Sequence, residues 1–269
     1  MKNFGLVGKG IQGSFSPEIH NYCFHALSLD ALYNIIDISN SSEIKEIVES
    51  LKNGNLEGIN VTTPYKQSFD SYLDNINPRA ESIGAVNCIH RNNSHLIGNN
   101  TDWYGFLKSL ENINGYSDVV IFGSGGVTLS LLFYFKNNQD CRIHIIARDQ
   151  NKLQKFQNSQ VLIYDIESFN LKVTNGFIVN AISSRANIAW DLILKKINGN
   201  IKYAMDLNYH LKVTEFLNSF DSDVKIKNGL DMLIYQALMS IDIWYKKDLS
   251  LLIDVDKLKN KLIEKYYNE

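Results

Sequence analysis

The run Asp118-Val119-Val120-Ile121-Phe122-Gly123-Ser124-Gly125-Gly126-Val127 joins an unbroken buried-type strand to a glycine turn and then to an apolar helix. A dinucleotide needs that order. Glycines let the backbone approach a pyrophosphate, and the helix start offers N–H donors at the positive end of its dipole. Without a ligand the same order is only a tight strand–helix turn, so the next strand decides between the two. Residues 142–147 are β-branched and lead to Arg148, where the adenosine ribose edge of a cofactor would lie. An acidic residue there would accept from the ribose hydroxyls, whereas arginine clamps a 2′-phosphate. Lys152, one helical turn on, adds a second positive charge, and Asp149 between them opposes both. The reading is an NADP site formed by Gly123, Ser124, Gly125, Gly126, Val127, Ala147, Arg148 and Lys152.

Outward from this turn, short β-branched runs alternate with amphipathic stretches, which predicts an α/β architecture with parallel sheets. Expected strands are 4–8, 32–38, 57–61, 118–122, 142–147, 176–180 and 203–207. Ser16 before Pro17 and Asn77 before Pro78 read as helix caps. Residues 118–227 form a doubly wound unit. After it, Leu230, Leu233, Ile234, Ala237, Leu238 and Ile241 recur at helical spacing. A terminal helix after such a unit commonly returns to the first domain. The expectation is a two-domain fold. An N-terminal α/β substrate domain starts at 1–101, a Rossmann-like doubly wound dinucleotide-binding domain spans 102–228, and C-terminal helices at 229–269 pack back on the first domain, leaving a cleft between the lobes.

The bulk composition suits 269 residues in two modest domains, with 45% hydrophobic and 21% charged residues. A net charge of −2 gives no footprint for nucleic acid or an anionic membrane. The first residues are too short an apolar run for a signal peptide, and no uncharged stretch nears a membrane span. Cys23, Cys88 and Cys141 are far apart and never form a C-x-x-C pair. That argues against a disulfide framework or a zinc site, leaves no metal expected, and makes the cytoplasm the default.

A second glycine run, Gly8-Lys9-Gly10-Ile11-Gln12-Gly13, matches G-x-G-x-x-G literally, follows a strand, and has Asp37 at a later strand end. As a dinucleotide turn it is a decoy. The next helix starts only at Ser16-Pro17, behind a hydroxyl-rich segment that would hold a phosphate away from the helix N-terminus.

Four polar segments flank the strands of the first domain: Ser14-Phe15-Ser16-Pro17-Glu18-Ile19-His20-Asn21, Asn60-Val61-Thr62-Thr63-Pro64-Tyr65-Lys66, Gly84-Ala85-Val86-Asn87, and Gly98-Asn99-Asn100-Thr101-Asp102-Trp103-Tyr104-Gly105. Singly, each has a bland reading: Ser16 a helix cap, Asn60 a turn former, Asp102 a first-turn acid on the dipole. Together they offer hydroxyls, amides, one lysine and one aspartate, the groups that hold a ring bearing several hydroxyls and a carboxylate. In this order, followed by the glycine turn, Arg148 and Met232-Leu233-Ile234-Tyr235-Gln236-Ala237, they resemble the shikimate dehydrogenase family over nearly the full length.

The resemblance implies NADP-dependent interconversion of 3-dehydroshikimate and shikimate in aromatic amino-acid biosynthesis. It implies Lys66 and Asp102 as catalytic residues. Ser14, Ser16, Asn60, Thr62, Asn87, Asp102, Tyr209 and Gln236 fall at substrate-binding positions, and Leu207 and Gly229 near the nicotinamide. Lys66 would donate a proton in reduction and accept one in oxidation, held in place by its charged neighbour. His20 and His25, on one early helix, read as packing or capping residues. The sequence departs from the family pattern at Gly13, Ile182, Arg185 and Leu211. The expected partner is a small molecule, shikimate or 3-dehydroshikimate, and a homodimer is compatible with the reading. Alternatives are a quinate/shikimate dehydrogenase with relaxed substrate or NAD use, a non-catalytic metabolite-sensing regulator, and a folate dehydrogenase of similar design, which the Ser-x-Ser and Asn-Thr-Asp segments disfavour.

Overall fold

The computed structural model describes residues 1–138 and 140–267. They fall into two compact units. The first comprises Met1–Lys108 with Met232–Lys261, and the second comprises Ser109–Asp231 with the chain from Leu262 onward. The division falls between Lys108 and Ser109 rather than after residue 101, because the helix that begins at Asp102 packs with the first unit.

In the first unit the order is β1 (Lys2–Gly8), α1 (Ser16–Ala26), β2 (Ala31–Asp37), α2 (Ile44–Lys52), β3 (Gly58–Val61), β4 (Asn75–Ile76), α3 (Pro78–Ile83), β5 (Cys88–Asn92), β6 (His95–Asn99) and α4 (Asp102–Ser109). Its sheet runs β2-β1-β3-β5-β6-β4. This sheet is mixed, which corrects the expectation of parallel sheets: β5 lies antiparallel to both β3 and β6. A two-residue turn at Asn93-Ser94 closes the β5–β6 hairpin, with Asn93 left-handed at φ 58°. Residues 88–99 interleave His, Arg and Asn with the apolar positions, so no β-branched run announces these strands. One face packs on α2, whose Ile44, Ile47, Val48 and Leu51 recur at helical spacing and are buried with Val7, Ile59, Val61 and Ile89.

The second unit runs β7 (Asp118–Phe122), α5 (Gly126–Asn138), β8 (Arg142–Ala147), β9 (Val161–Asp165), β10 (Leu171–Asn180), α6 (Trp190–Leu194), β11 (Ile197–Asp206), α7 (Glu215–Asn218) and β12 (Lys225–Asn228). The strands pair in the order β12-β11-β10-β7-β8-β9, parallel throughout. The chain winds outward from β7 to β9, then crosses to β10 and winds the other way. The reversal lies between β7 and β10, and ligands of such sheets bind outside the strand C-termini at that point. Its core includes Val120, Phe122, Ile146, Ile178, Ala204, Trp190 and Phe216, all buried. Two further helices are α8 (Leu230–Tyr245) and α9 (Val255–Tyr266). Most of their residues belong to the first unit, where Ile234, Ala237, Leu238 and Ile241 are buried. No described helix is long and apolar enough to cross a membrane.

Candidate active site

The polar segments of the first unit meet at strand ends and helix starts. Lys66 sits in the turn after β3, held by Tyr65 N to Thr62 O at 2.9 Å and by Val86 N to Lys66 O at 2.9 Å. Asp102 opens α4, where the Asn100 side chain accepts from its backbone N–H at 3.0 Å. The Lys66 ammonium donates to Asp102 Oδ2. Asn87 Nδ2 donates to Asp102 Oδ1 at 2.8 Å, so both carboxylate oxygens are engaged. The Asp102 side chain is 7% exposed and that of Lys66 13%, so solvent screens the pair little.

Asn87 is itself fixed from several sides. Its carbonyl accepts from Val61 N at 2.8 Å, its Oδ1 accepts from Thr101 N at 2.6 Å, and its Nδ2 also reaches Thr101 Oγ1 at 3.0 Å. Asn60 is buried and bonded within the protein. Its Nδ2 donates to Asn87 O at 3.2 Å and Ser240 Oγ at 2.8 Å, and its Oδ1 accepts from Tyr33 OH at 3.0 Å. Both the amide nitrogen and the oxygen of Asn60 are thus engaged with neighbouring residues of the first unit. Gln236 on α8 lies beside Thr101, with Oε1 and Oγ1 3.5 Å apart. Gly105 explains that approach: a Cβ there would stand 2.5 Å from Met232 O, so only glycine lets α4 and α8 come together.

Ser14 and Ser16 present adjacent hydroxyls, with Oγ atoms 3.2 Å apart, and Ser16 N donates to Ser14 Oγ at 3.2 Å. Ser16 is not the cap of α1, as its place before Pro17 suggested. It is the first helical residue, and Phe15 holds the cap position without a side-chain cap bond. A serine already inside the helix leaves its hydroxyl for Ser14 rather than for the helix end. Asn77 does cap α3, accepting from Arg79 N at 3.0 Å. Thr101, from the quoted Asn-Thr-Asp segment, joins this network, and Tyr33 and Ser240 complete it without having been singled out. Ser240 lies one helical turn past Gln236 on α8, the one sequence signal that could have found it.

The expected cofactor residues lie at the C-terminal edge of the second sheet. Gly123 follows β7 with φ 117°, and a Cβ there would meet Ala181 O of the β10 loop at 3.1 Å. Thr128 Oγ1 donates back to Gly123 O at 3.1 Å, tying α5 to the turn. At Gly125 a Cβ would meet nothing within 4 Å, so open space lies before the start of α5. Ser124 and Val127 flank that space half-buried, and buried Ala147 ends β8 before exposed Arg148 and Lys152. A backbone cradle at a helix start, with two cations beyond the next strand, fits a phosphorylated dinucleotide.

Leu207 is held by its N–H to Asn180 O at 2.9 Å, and Gly229 lies against it, where a Cβ would fall 2.1 Å from Leu207 O. Asp206 organises these loops: it accepts from Asn180 Nδ2, Asn208 N and Nδ2, and Thr214 Oγ1. Burial pushes its pKa up against those four bonds. Ile182 N donates to Asn180 Oδ1 and Leu211 O accepts from Asn228 Nδ2, bonds made by backbone atoms that do not depend on the side chain at either departure from the family pattern. Tyr209 also belongs to this second unit, whereas the other expected substrate residues belong to the first. Among the described residues no three His, Cys, Asp or Glu side chains converge as a metal-ligand set.

Residues 6–89 match the model of the shikimate dehydrogenase substrate binding domain. A shikimate dehydrogenase (NADP(+)) of Clostridium perfringens is 36% identical over 255 residues, covering 91% of this chain and 92% of the relative. The chain belongs to the shikimate dehydrogenase family. Among solved structures, shikimate dehydrogenase 1 of Peptoclostridium difficile superposes with a TM-score of 0.85 at 30% identity, covering all of both chains. A shikimate dehydrogenase solved in complex with NADP+ gives a TM-score of 0.82 at 27% identity, covering 100% of this chain and 96% of the other.

Proposed function

We propose that this member of the family is an NADP-dependent shikimate dehydrogenase, interconverting 3-dehydroshikimate and shikimate in chorismate and aromatic amino-acid biosynthesis. The observation that carries the reading is the Lys66–Asp102 pair, with Asn87 holding the second carboxylate oxygen at 2.8 Å. Reduction of a ring ketone requires a hydride at carbon and a proton at the nascent alkoxide. NADPH, when bound, supplies the hydride. Lys66 supplies the proton in reduction and takes it back in oxidation, its ammonium also stabilising the developing negative charge on oxygen. Asp102 keeps the ammonium aimed, and Asn87 fixes Asp102.

Ser14 and Ser16 donate their hydroxyls to the substrate carboxylate, while Thr62, Asn87, Asp102, Gln236 and Tyr209 bind its polar groups. Asn60 supports Asn87 from behind. Gly123, Ser124, Gly125, Gly126, Val127 and Ala147 shape the cradle, Arg148 and Lys152 hold the 2′-phosphate, and Leu207 and Gly229 line the nicotinamide end. With a net charge of −2, nucleic acid is no partner in this reading, and three buried free thiols suit a reducing cytoplasm. The test is oxidation by the purified protein of shikimate and quinate, each with NADP and NAD, followed by absorbance of the reduced cofactor. Shikimate with NADP is expected to give the highest kcat/KM. Equal or better turnover of quinate contradicts the substrate, and no turnover with any pair contradicts an enzyme and favours a metabolite sensor.

A further inference from the structure

The decoy turn has its own anion. Asp37, the last residue of β2, accepts from Gly10 N at 2.6 Å, from Ile11 N at 3.2 Å and from Gln12 Nε2 at 3.4 Å. Gly10 turns the chain left-handed at φ 64°, so that two successive N–H groups point at one carboxylate. Successive N–H groups in such a turn form an anion-binding concavity, and bonds to an ionised acceptor are among the stronger ones. A pyrophosphate at this turn would need the same N–H groups, which Asp37 already occupies with a fixed negative charge.

The geometry points to a task for that carboxylate in the same reaction. We propose that Asp37 is a positioning residue for the substrate-carboxylate site, clamping residues 10–12 so that the loop presents Ser14 and Ser16 together. The proposal rests on those two serines being the carboxylate site. The connection is short. Ser14 N donates to Ile11 O at 3.0 Å, Ile11 N is held by Asp37, and Ser16 N donates to Ser14 Oγ at 3.2 Å. On the other side the loop is tied by Lys9 N to Thr63 O at 3.3 Å and by Ile38 N to Gly8 O at 2.9 Å. Asp37 thus clamps residues 10–12 by its side chain, and it does so from the neighbouring strand. With the turn filled from within, a substrate carboxylate has the serine hydroxyls as its nearby donors.

The test compares Asp37→Ala, Asp37→Asn and the double variant Ser14→Ala/Ser16→Ala in steady-state kinetics with shikimate and NADP. Asp37→Asn keeps the side-chain volume and remains informative where the alanine variant does not fold, as judged by circular dichroism. Both Asp37 variants are expected to raise the shikimate KM by about tenfold, with kcat and the NADP KM near those of the parent. Added formate, a carboxylate small enough to refill the turn, is expected to lower the shikimate KM of Asp37→Ala. In the parent it can only compete with substrate and raise it. A raised shikimate KM in the serine variant with an unchanged one in both Asp37 variants overturns the proposal alone. An unchanged shikimate KM in the serine variant overturns the carboxylate site beneath it, and a raised NADP KM in the Asp37 variants returns the turn to the cofactor.

Discussion

His20 lies flat on Tyr33, with ring centroids 3.9 Å apart and planes within 4°. Its Nδ1 donates to the Ser16 carbonyl at 2.8 Å, which fixes the tautomer, since a carbonyl can only accept. Burial pushes its pKa down to about 4, against the raising effect of the Ser16 bond. The unfolded chain regains the ordinary value of about 6.5. Between those two values the unfolded state binds the extra proton, so stability falls as pH drops through this window and is fully present above it. The contribution is about 3 kcal/mol at neutral pH. Denaturant unfolding at pH 7.5 and 4.5 should therefore show a larger acid loss in the parent than in His20→Gln; equal losses contradict this origin. The packing role read for His20 from its place on an early helix is what its contacts display, whereas its stacking on a residue of the next strand has no local sequence mark.

At the scale of elements, strands were legible where they are buried on both faces and β-branched. Residues 118–122 and 142–147 coincide with β7 and β8, since runs this short, bounded by turn residues and rich in Val and Ile, suit interior strands of a parallel sheet. The β5–β6 hairpin was not legible, because its alternation is carried by Cys, His and Asn rather than by β-branched residues. Turn chemistry was legible in part: Asn77 caps as read, while Ser16 lies one position inside its helix. The end of β8 carries the cofactor choice. Asp149, which by charge alone opposes Arg148, accepts from Asn151 N at 3.1 Å and so serves the turn that follows the strand. NADP is therefore expected over NAD. A charge-assisted bond to the 2′-phosphate is worth about 1.5–3 kcal/mol, roughly ten- to a hundredfold in affinity. Arg148→Ala should raise the NADP KM by that range and leave the NAD kinetics nearly unchanged. A parallel rise for both cofactors contradicts a role confined to the phosphate.

For the whole molecule, the order of segments was the strongest message, since Lys66, Asn87, Thr101, Asp102 and Gln236, spread along the chain, meet within the first unit. Lys66 and Asp102 are far apart in sequence and meet because the β3 turn and the start of α4 both abut Asn87. Of the supports of that meeting, Tyr33 was illegible, because a tyrosine in a strand reads as an ordinary core position, and Ser240 was marked only by its spacing one helical turn past Gln236. So was the exact division of the chain, which depends on α4 packing against α8 through Gly105. In the proposed reaction Lys66 moves the proton. The most direct measurement is kcat and shikimate KM for Lys66→Ala beside the parent, with folding checked by circular dichroism. General acid–base catalysis contributes roughly 10²–10⁴-fold, so kcat should fall by that factor while the shikimate KM stays near the parent value. A kcat close to the parent's, or a loss carried entirely by KM, contradicts it.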